Sequence, residues 1–297
     1  MTAEGFQCGY VALIGKPNTG KSTLMNALVG EKLSITAHRP QTTRHQILGI
    51  LTTEDYQCIF VDTPGIHQDQ RKAINRYMNR AATSMLGDVD LICVLLEAKS
   101  INGDDEQILQ RLRQQKNVIV LINKIDQIKK QDLLPLMQKV SSWLPDVDII
   151  PISALEKQNL NQLMKQIRGH LPLAIPHFPA DQLTDKPMRF IVAEIVREKL
   201  FRMLTQELPY ALTVNVEHYV QEVDMVRISA SIWVERKSQK GIVIGNQGRM
   251  LKKIGSEARK DIERLVQSKV YLQLWVKVRE DWSDDERSLA AFGYSND

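Results

Sequence analysis

The sequence predicts an α/β domain built on a mostly parallel sheet, followed by a smaller α+β domain. Three observations carry this. Up to about residue 171, short apolar runs alternate with stretches of helical period, the pattern of consecutive βαβ units. Those runs are apolar nearly throughout, as strands of a parallel sheet covered on both faces are. Beyond a stretch with four prolines in 172–187, the order changes to helix, two strands, helix and strand. The length of 297 residues suits two domains of ~100–200 residues each, with ample material for a core.

The first domain, 1–171, reads as strands at 10–15 (YVALIG), 47–51 (ILGIL), 56–62 (YQCIFVD), 90–96 (DLICVLL), 117–123 (NVIVLIN) and 148–153 (DIIPIS). Helical patterns near 22–29, 72–85, 105–115, 132–143 and 159–171 lie between or after them. Pro172, Pro176, Pro179 and Pro187, with no periodicity around them, mark 172–187 as a linker. The second domain, 188–280, opens with a helix over 189–207, followed by strands at 209–219 and 224–235. In the latter, Val226, Ile228, Ala230 and Ile232 fall on one face. Leu251, Ile254, Ala258, Ile262 and Leu265 give the next helix its apolar stripe, and 270–278 is a further strand. Trp233 and Trp275 read as core residues, and Met203–Leu208 as packing. The acidic tail, 281–297, is expected to dock a helix on the second domain.

Composition excludes several classes. The hydrophobic share of 43% and charged share of 25% are near the average for globular chains, which rules out disorder and fibre. No apolar run approaches the ~18 residues of a membrane span, and the opening MTAEGFQCGYVALIG lacks the flanks of a secretory signal. Cys8, Cys58 and Cys93 are odd in number and without metal-ligand spacing, so they read as buried residues in a reducing compartment. His38, His45, His67, His170, His177 and His218 show no metal spacing either. A soluble cytoplasmic protein is expected. The net charge of +4 says less than its distribution. Between 235 and 260, eight basic side chains (Arg236, Lys237, Lys240, Arg249, Lys252, Lys253, Arg259, Lys260) face two acidic ones, Glu235 and Glu257. That is a polyanion surface beside an acidic tail.

Gly15-Lys16-Pro17-Asn18-Thr19-Gly20-Lys21-Ser22 fits G-x-x-x-x-G-K-[ST] between the first strand and the first helix, with Thr23 following. Glycines let backbone N–H groups turn inward around phosphates, and the helix adds its positive end. Lys21 can reach the β- and γ-phosphates, and the Ser22 hydroxyl can bind Mg²⁺. Asp62-Thr63-Pro64-Gly65, followed by Ile66, delivers a carboxylate to the sheet's C-terminal edge, where Asp62 can hold Mg²⁺ through a water and Gly65 can meet a γ-phosphate. Asn123-Lys124-Ile125-Asp126 ends another strand. The Asp126 carboxylate can accept from guanine N1–H and its 2-amino group; adenine offers neither donor and would leave the carboxylate unpaired. The Lys124 stem can cover the base, Asn123 can brace the loops, and Ser153-Ala154-Leu155 can offer a backbone N–H to guanine O6.

In the second domain, Ile244-Gly245-Asn246-Gln247-Gly248 precedes a basic helix carrying Arg249, Lys252 and Lys253. Two glycines allow close approach to phosphate oxygens, and Lys252/Arg259 and Lys253/Lys260 form a basic stripe two turns long. The loop resembles the GxxG loop of a type II KH domain, which takes about four nucleotides of single-stranded RNA.

GKPNTGKS, DTPG, NKID and SAL, in that order, resemble the motifs of the translation-factor-type GTPases, and within that class those of the Era family of bacterial ribosome-associated GTPases. The resemblance covers essentially the whole chain. It implies a P-loop GTPase domain followed by a KH domain, slow hydrolysis of GTP to GDP and phosphate, and Mg²⁺ held by Ser22, Asp62 and a switch-loop threonine. Thr43 is favoured there because it immediately precedes Arg44, with Thr42 as the alternative. It further implies the 3′ end of small-subunit rRNA and the 30S subunit as partners, a role in small-subunit biogenesis, a monomer, and peripheral contact with the inner membrane as an open question. Ile66 stands where Ras-like enzymes place the glutamine that orients water, so the hydrolysis geometry must come from backbone groups, a partner or a monovalent cation, with Lys21 and Thr43 supporting it. Asn18 is the residue that potassium-stimulated relatives use to hold K⁺. The rival readings are an RNA-binding module with a structural nucleotide, an RNA-modification GTPase, and a P-loop kinase or ATPase. Asp126 speaks against the last of these.

Overall fold

The computed structural model describes residues 5–36, 43–64, 73–83, 87–204 and 208–294. The chain divides into two units: Met1–His67 with Met78–Asp185, and Gln68–Tyr77 with Lys186–Asp297.

In the first unit, apolar runs of β-branched and aliphatic residues form β1 (Gln7–Ile14), β2 (Ile47–Thr52), β3 (Tyr56–Asp62), β4 (Leu91–Glu97), β5 (Val118–Asn123) and β6 (Asp148–Pro151). Their order is β2-β3-β1-β4-β5-β6, with every pair parallel except β2·β3. β2 and β3 are hairpin neighbours, which forces the antiparallel edge. On one face Ile14, Val94, Leu96, Val120 and Ile122 form a core with Leu109 of α3 (Gly103–Arg111) and Val140 of α4 (Lys130–Trp143). α3 starts at a capping box in which the Asn102 side chain and Asp105 satisfy each other's ends of the first turn. α1 (Lys21–Val29) leaves directly from the loop after β1, and α5 (Leu160–His170) completes the unit.

The proline-rich stretch differs from a free linker. As far as residue 185 it is laid onto the first unit. Cys8 N–H donates to Pro172 O, Ala174 N–H to Phe6 O, and Ile50 N–H to Leu183 O. The fully buried Gln57 amide accepts from His177 N–H and Phe178 N–H and donates to Phe178 O. Prolines interrupt the pattern that marks a strand, so the sequence hides these contacts.

In the second unit, α6 (Met188–Met203) and α8 (Arg249–Val266) cover a sheet of β7 (Leu212–Gln221), β8 (Met225–Val234) and β9 (Lys269–Val278), in the order β7-β8-β9. β7·β8 is antiparallel with a bulge at Val216/His218, and β8·β9 is parallel. Val226, Ile228, Ala230 and Ile232 join Ile254, Ala258 and Ile262 in its core. One helix escapes the sequence reading, and one reading is corrected. The stretch before the GxxG loop forms a helix, α7 (Lys237–Ile244), although Gly241 and a β-branched run argue against one. Trp275 is 56% exposed, because the face of β9 that carries it, with Tyr271, is not covered by the helices. Trp233 is half-buried under Phe292.

The tail docks through its aromatic residues. Trp282 is fully buried, donates to Ala211 O and packs edge-on against Phe292, which follows α9 (Glu286–Ala291). The tail also caps the start of α2 (Ala73–Thr83), whose residues as far as Tyr77 fall in this unit. Ala73 N–H donates to Asp284 Oδ1 at 2.9 Å and Ile74 N–H to Ser283 O at 3.2 Å. All three cysteines are free and buried. Among the described residues no helix is long and apolar enough to cross a membrane.

Candidate functional site

Parallel strands deliver their C-terminal ends to one edge of the sheet, and the sequence motifs sit there. β1 ends at Ile14, β3 at Asp62, β5 at Asn123, and Ser153 follows β6. This edge is where open α/β sheets bind ligands.

The loop Gly15–Gly20 turns from β1 into α1. Asn18 (φ 65°) and Gly20 (φ 100°) adopt left-handed backbone, and a Cβ on Gly20 would meet the Asn123 side chain at 2.3 Å. Thr19 Oγ1 donates to Lys16 O at 3.0 Å. The Lys21 ammonium, on a buried side chain, donates to Gly15 O at 3.0 Å and Lys16 O at 2.9 Å. Its third proton is left for a further acceptor. Burial lowers the Lys21 pKa to about 8, against the opposing pull of Asp62. Pro17 and Thr23 are half-buried on the same turn.

Ser22 Oγ donates to Asp62 Oδ2 at 2.7 Å and lies 2.8 Å from Thr43 Oγ1, which is 3.5 Å from the same carboxylate oxygen. Three oxygens from three separate segments thus converge, a donor set for a hard divalent cation. Asp62 Oδ1 is buried without a partner among the described residues. Burial raises the Asp62 pKa, and the Ser22 hydrogen bond and the Lys21 charge oppose that shift. A cation beside the two hydroxyls, with its bound water within reach of Asp62, would favour the charged carboxylate and give the orphaned oxygen a donor, so the residues fit Mg²⁺. Of the two candidate threonines, Thr43 is the one brought here; Thr42, Gly65 and Ile66 lie outside the described residues. Thr63 Oγ1 donates to Leu13 O at 3.0 Å, and Pro64 is buried behind it.

Asn123 braces two loops at once. Its Nδ2 donates to Thr19 O at 2.7 Å, and its Oδ1 accepts Ala154 N–H at 3.0 Å. Lys124 takes the left-handed conformation (φ 64°), Ile125 N–H donates to Ile152 O, and Asp126 stands exposed in the following turn. Ser153 N–H donates to Gln158 O, and Ser153 Oγ accepts Glu156 N–H. Of the three residues expected to offer a backbone N–H to guanine O6, Ser153 and Ala154 have theirs engaged, and that of Leu155 has no partner among the described residues, beside a 67% exposed side chain.

Within the phosphate loop one side chain is turned toward a neighbouring helix. The Lys16 side chain points to α3, where it pairs with Asp105 at 2.7 Å, so only its backbone serves the loop. Glu97, which no motif contains, pairs with Lys124 at 2.9 Å. Both partners escape a motif reading because they act on a motif residue through its side chain.

In the second unit, Gly245 (φ 71°, ψ 176°) ends α7, Gln247 (φ 51°) and Gly248 (φ 75°) have positive φ, and α8 starts at Arg249. Asn246 and Gln247 are exposed and Ile244 is half-buried. The basic stripe is uneven. Lys260 pairs with Glu257 at 2.9 Å and Arg259 with Glu263 at 3.9 Å, whereas Arg249, Lys252 and Lys253 are exposed and have no ion pair among the described residues.

A phosphate loop, a convergent hydroxyl–carboxylate cluster and an Asn-Lys-x-Asp base loop on one sheet edge, followed by a GxxG helix pair, define a P-loop GTPase carrying a KH domain. Family models agree: one described as 50S ribosome-binding GTPase matches residues 10–124, and one described as KH domain matches 207–283. GTPase Era of Yersinia pestis is 49% identical over 99% of this chain and 98% of its own, and that of Yersinia pseudotuberculosis is equally similar. Two solved structures superpose with TM-scores of 0.94 at 39% identity, covering 98% of this chain and all of theirs. They are an Aquifex aeolicus Era variant bound to GDP and AlF4⁻, and Era in complex with MgGDPNP and nucleotides 1506–1542 of 16S ribosomal RNA. The chain belongs to the Era family of GTPases.

Proposed function

We propose that this GTPase is a nucleotide-operated switch that binds single-stranded rRNA at the 3′ end of the small subunit and assists 30S biogenesis, acting as a cytoplasmic monomer. The observation that carries the reading is the pairing of two sites in one chain: the Ser22–Thr43–Asp62 cluster and a GxxG loop followed by the exposed Arg249, Lys252 and Lys253. The relative solved with MgGDPNP and 16S rRNA nucleotides supports the choice of RNA.

In this reading Lys21 binds the β- and γ-phosphates with its remaining proton, and the backbone N–H groups of Gly15–Ser22 surround them. Ser22 and Thr43 would hold Mg²⁺, with Asp62 acting through a water; when bound, the ion would neutralise charge on the phosphate oxygens. Asp126 accepts from guanine N1–H and the 2-amino group, Lys124 covers the base, and Leu155 N–H donates to O6. Thr43 joins the cluster from the switch loop, so its contact with the nucleotide side is what hydrolysis would release. Asn18 is the candidate K⁺ ligand. With Ile66 at the position of the water-orienting glutamine, intrinsic turnover is slow.

Affinity for a single-stranded 3′ fragment of small-subunit rRNA, measured at fixed salt with a non-hydrolysable GTP analogue and with GDP, tests the switch. A clear difference supports it and gives its sign; equal affinities refute coupling to this RNA.

A further inference from the structure

The connection between β4 and α3, residues 97–105, belongs to no nucleotide motif, yet it holds both loops of the site. At its start Glu97 pairs with Lys124 at 2.9 Å, with both side chains about three-quarters buried. At its end the Lys16 ammonium donates to Asp105 Oδ2 at 2.7 Å, Asn102 Oδ1 at 3.0 Å and Ser100 O at 3.3 Å. Three acceptors use all three ammonium protons. The Asp105 oxygen also accepts Asn102 N–H at 2.9 Å, so the lysine joins a network already fixed by the start of α3.

Lys16 is held at its other end too. Its carbonyl accepts Lys21 Nζ at 2.9 Å and Thr19 Oγ1 at 3.0 Å. The Asp105 side chain is fully buried, and its Oδ1 has no partner among the described residues. Removing the ammonium would therefore strand a buried carboxylate, and the network resists any displacement of Lys16. β4 contributes as well: Leu95 O stands 2.4 Å from where a Cβ on Gly15 would fall, so the phosphate loop rests directly on this strand.

We infer that residues 97–105 are a positioning element for nucleotide binding. The Lys16–Asp105 pair sets the phosphate loop and the Glu97–Lys124 pair sets the base loop, while Glu97 and Asp105 themselves touch no nucleotide. The inference rests on the nucleotide reading of the site above.

The test uses the full chain, with release of a fluorescent GDP followed by stopped flow, steady-state kcat and KM for GTP, and the melting temperature without nucleotide. Asp105→Asn is expected to speed GDP release on the order of tenfold and to raise KM more than it lowers kcat. Lys16→Met should do the same, the double variant should be no worse than either single one, and Lys16→Arg should restore slow release. Glu97→Gln, at a partly exposed pair, should speed release about threefold. If Asp105→Asn and Lys16→Met do not fold, Lys16→Arg and Glu97→Gln carry the test, since the first keeps a charge opposite Asp105 and the second lies in a partly exposed pair. Variants with a lowered melting temperature but wild-type release and KM overturn the positioning role, as do fully additive single effects. A wild-type chain that fails to bind GDP would sink the nucleotide reading itself, a result distinguishable from wild-type binding with unaffected variants.

Discussion

Replacing each glycine of the GxxG loop by alanine separates backbone geometry from mere proximity to RNA. Gly245 has φ 71° and ψ 176°, a region essentially reserved for glycine, and a Cβ there would lie 2.6 Å from Met250 Cβ and 3.0 Å from Met250 N. Neither is the end of a flexible side chain, so the loop must move. Strain in that region costs about 1–3 kcal/mol, and the contact places Gly245→Ala near ~3 kcal/mol. Gly248 has φ 75° and ψ 7°, ordinary left-handed backbone, with no atom of the described residues within 4 Å of its Cβ position. Gly248→Ala should therefore cost only ~1 kcal/mol. If the loop relieves its strain by leaving the binding geometry, RNA affinity falls ~100-fold for Gly245→Ala and ~5-fold for Gly248→Ala. Fluorescence anisotropy with a short single-stranded RNA at fixed salt reads the affinities, and urea denaturation reads how much strain remains in the fold. Equal losses at the two positions, or a larger loss at Gly248, would refute the geometric argument.

Two further outcomes are expected. Lys21, with a pKa of about 8 against an ordinary 10.5, must be protonated to bind phosphate, so binding takes up a proton above that pH. GDP Kd should be flat below pH ~8 and rise by up to tenfold per unit above it, while the nucleotide-free chain gains stability between 8 and 10.5, where only the unfolded state holds the proton. Calorimetry in buffers of different ionisation enthalpy reads the uptake; a Kd independent of pH between 7 and 9 would contradict the burial argument. Lys252→Ala and Lys253→Ala should each reduce the slope of log K against log salt for RNA by ~0.7. Arg259→Ala and Lys260→Ala should change it less because Glu263 and Glu257 share their charge; a titration from low to moderate salt decides.

The nucleotide site was legible because its residues sit at strand ends, where an apolar run stops abruptly at Asp62 or Asn123 and topology alone brings the ends together. The second domain was legible in its sheet alternation and in the stripe of α8. What escaped depends on contacts that periodicity does not encode. Helix α7 runs against its own propensities. Trp275 has the hydrophobicity of a core residue but the outward phase of β9. The Lys16 contact needs Asp105, 89 positions away, and the loss of Ala154 N–H to Asn123 needs the fold itself.

The proline-rich strap also decides where this chain can be cut. β2 is an antiparallel edge, and the strap satisfies part of it: Ile50 N–H reaches Leu183 O, Leu48 N–H reaches Asp185 Oδ1, and Gly49 bridges Thr184. A fragment ended at residue 171 would keep every nucleotide motif but bare that edge and leave the buried Gln57 amide without its His177 and Phe178 partners. Bare edges template pairing between chains. The same domain extended to residue 185 carries its own edge protection, so the boundary of an isolable GTPase domain is set by the far end of the prolines.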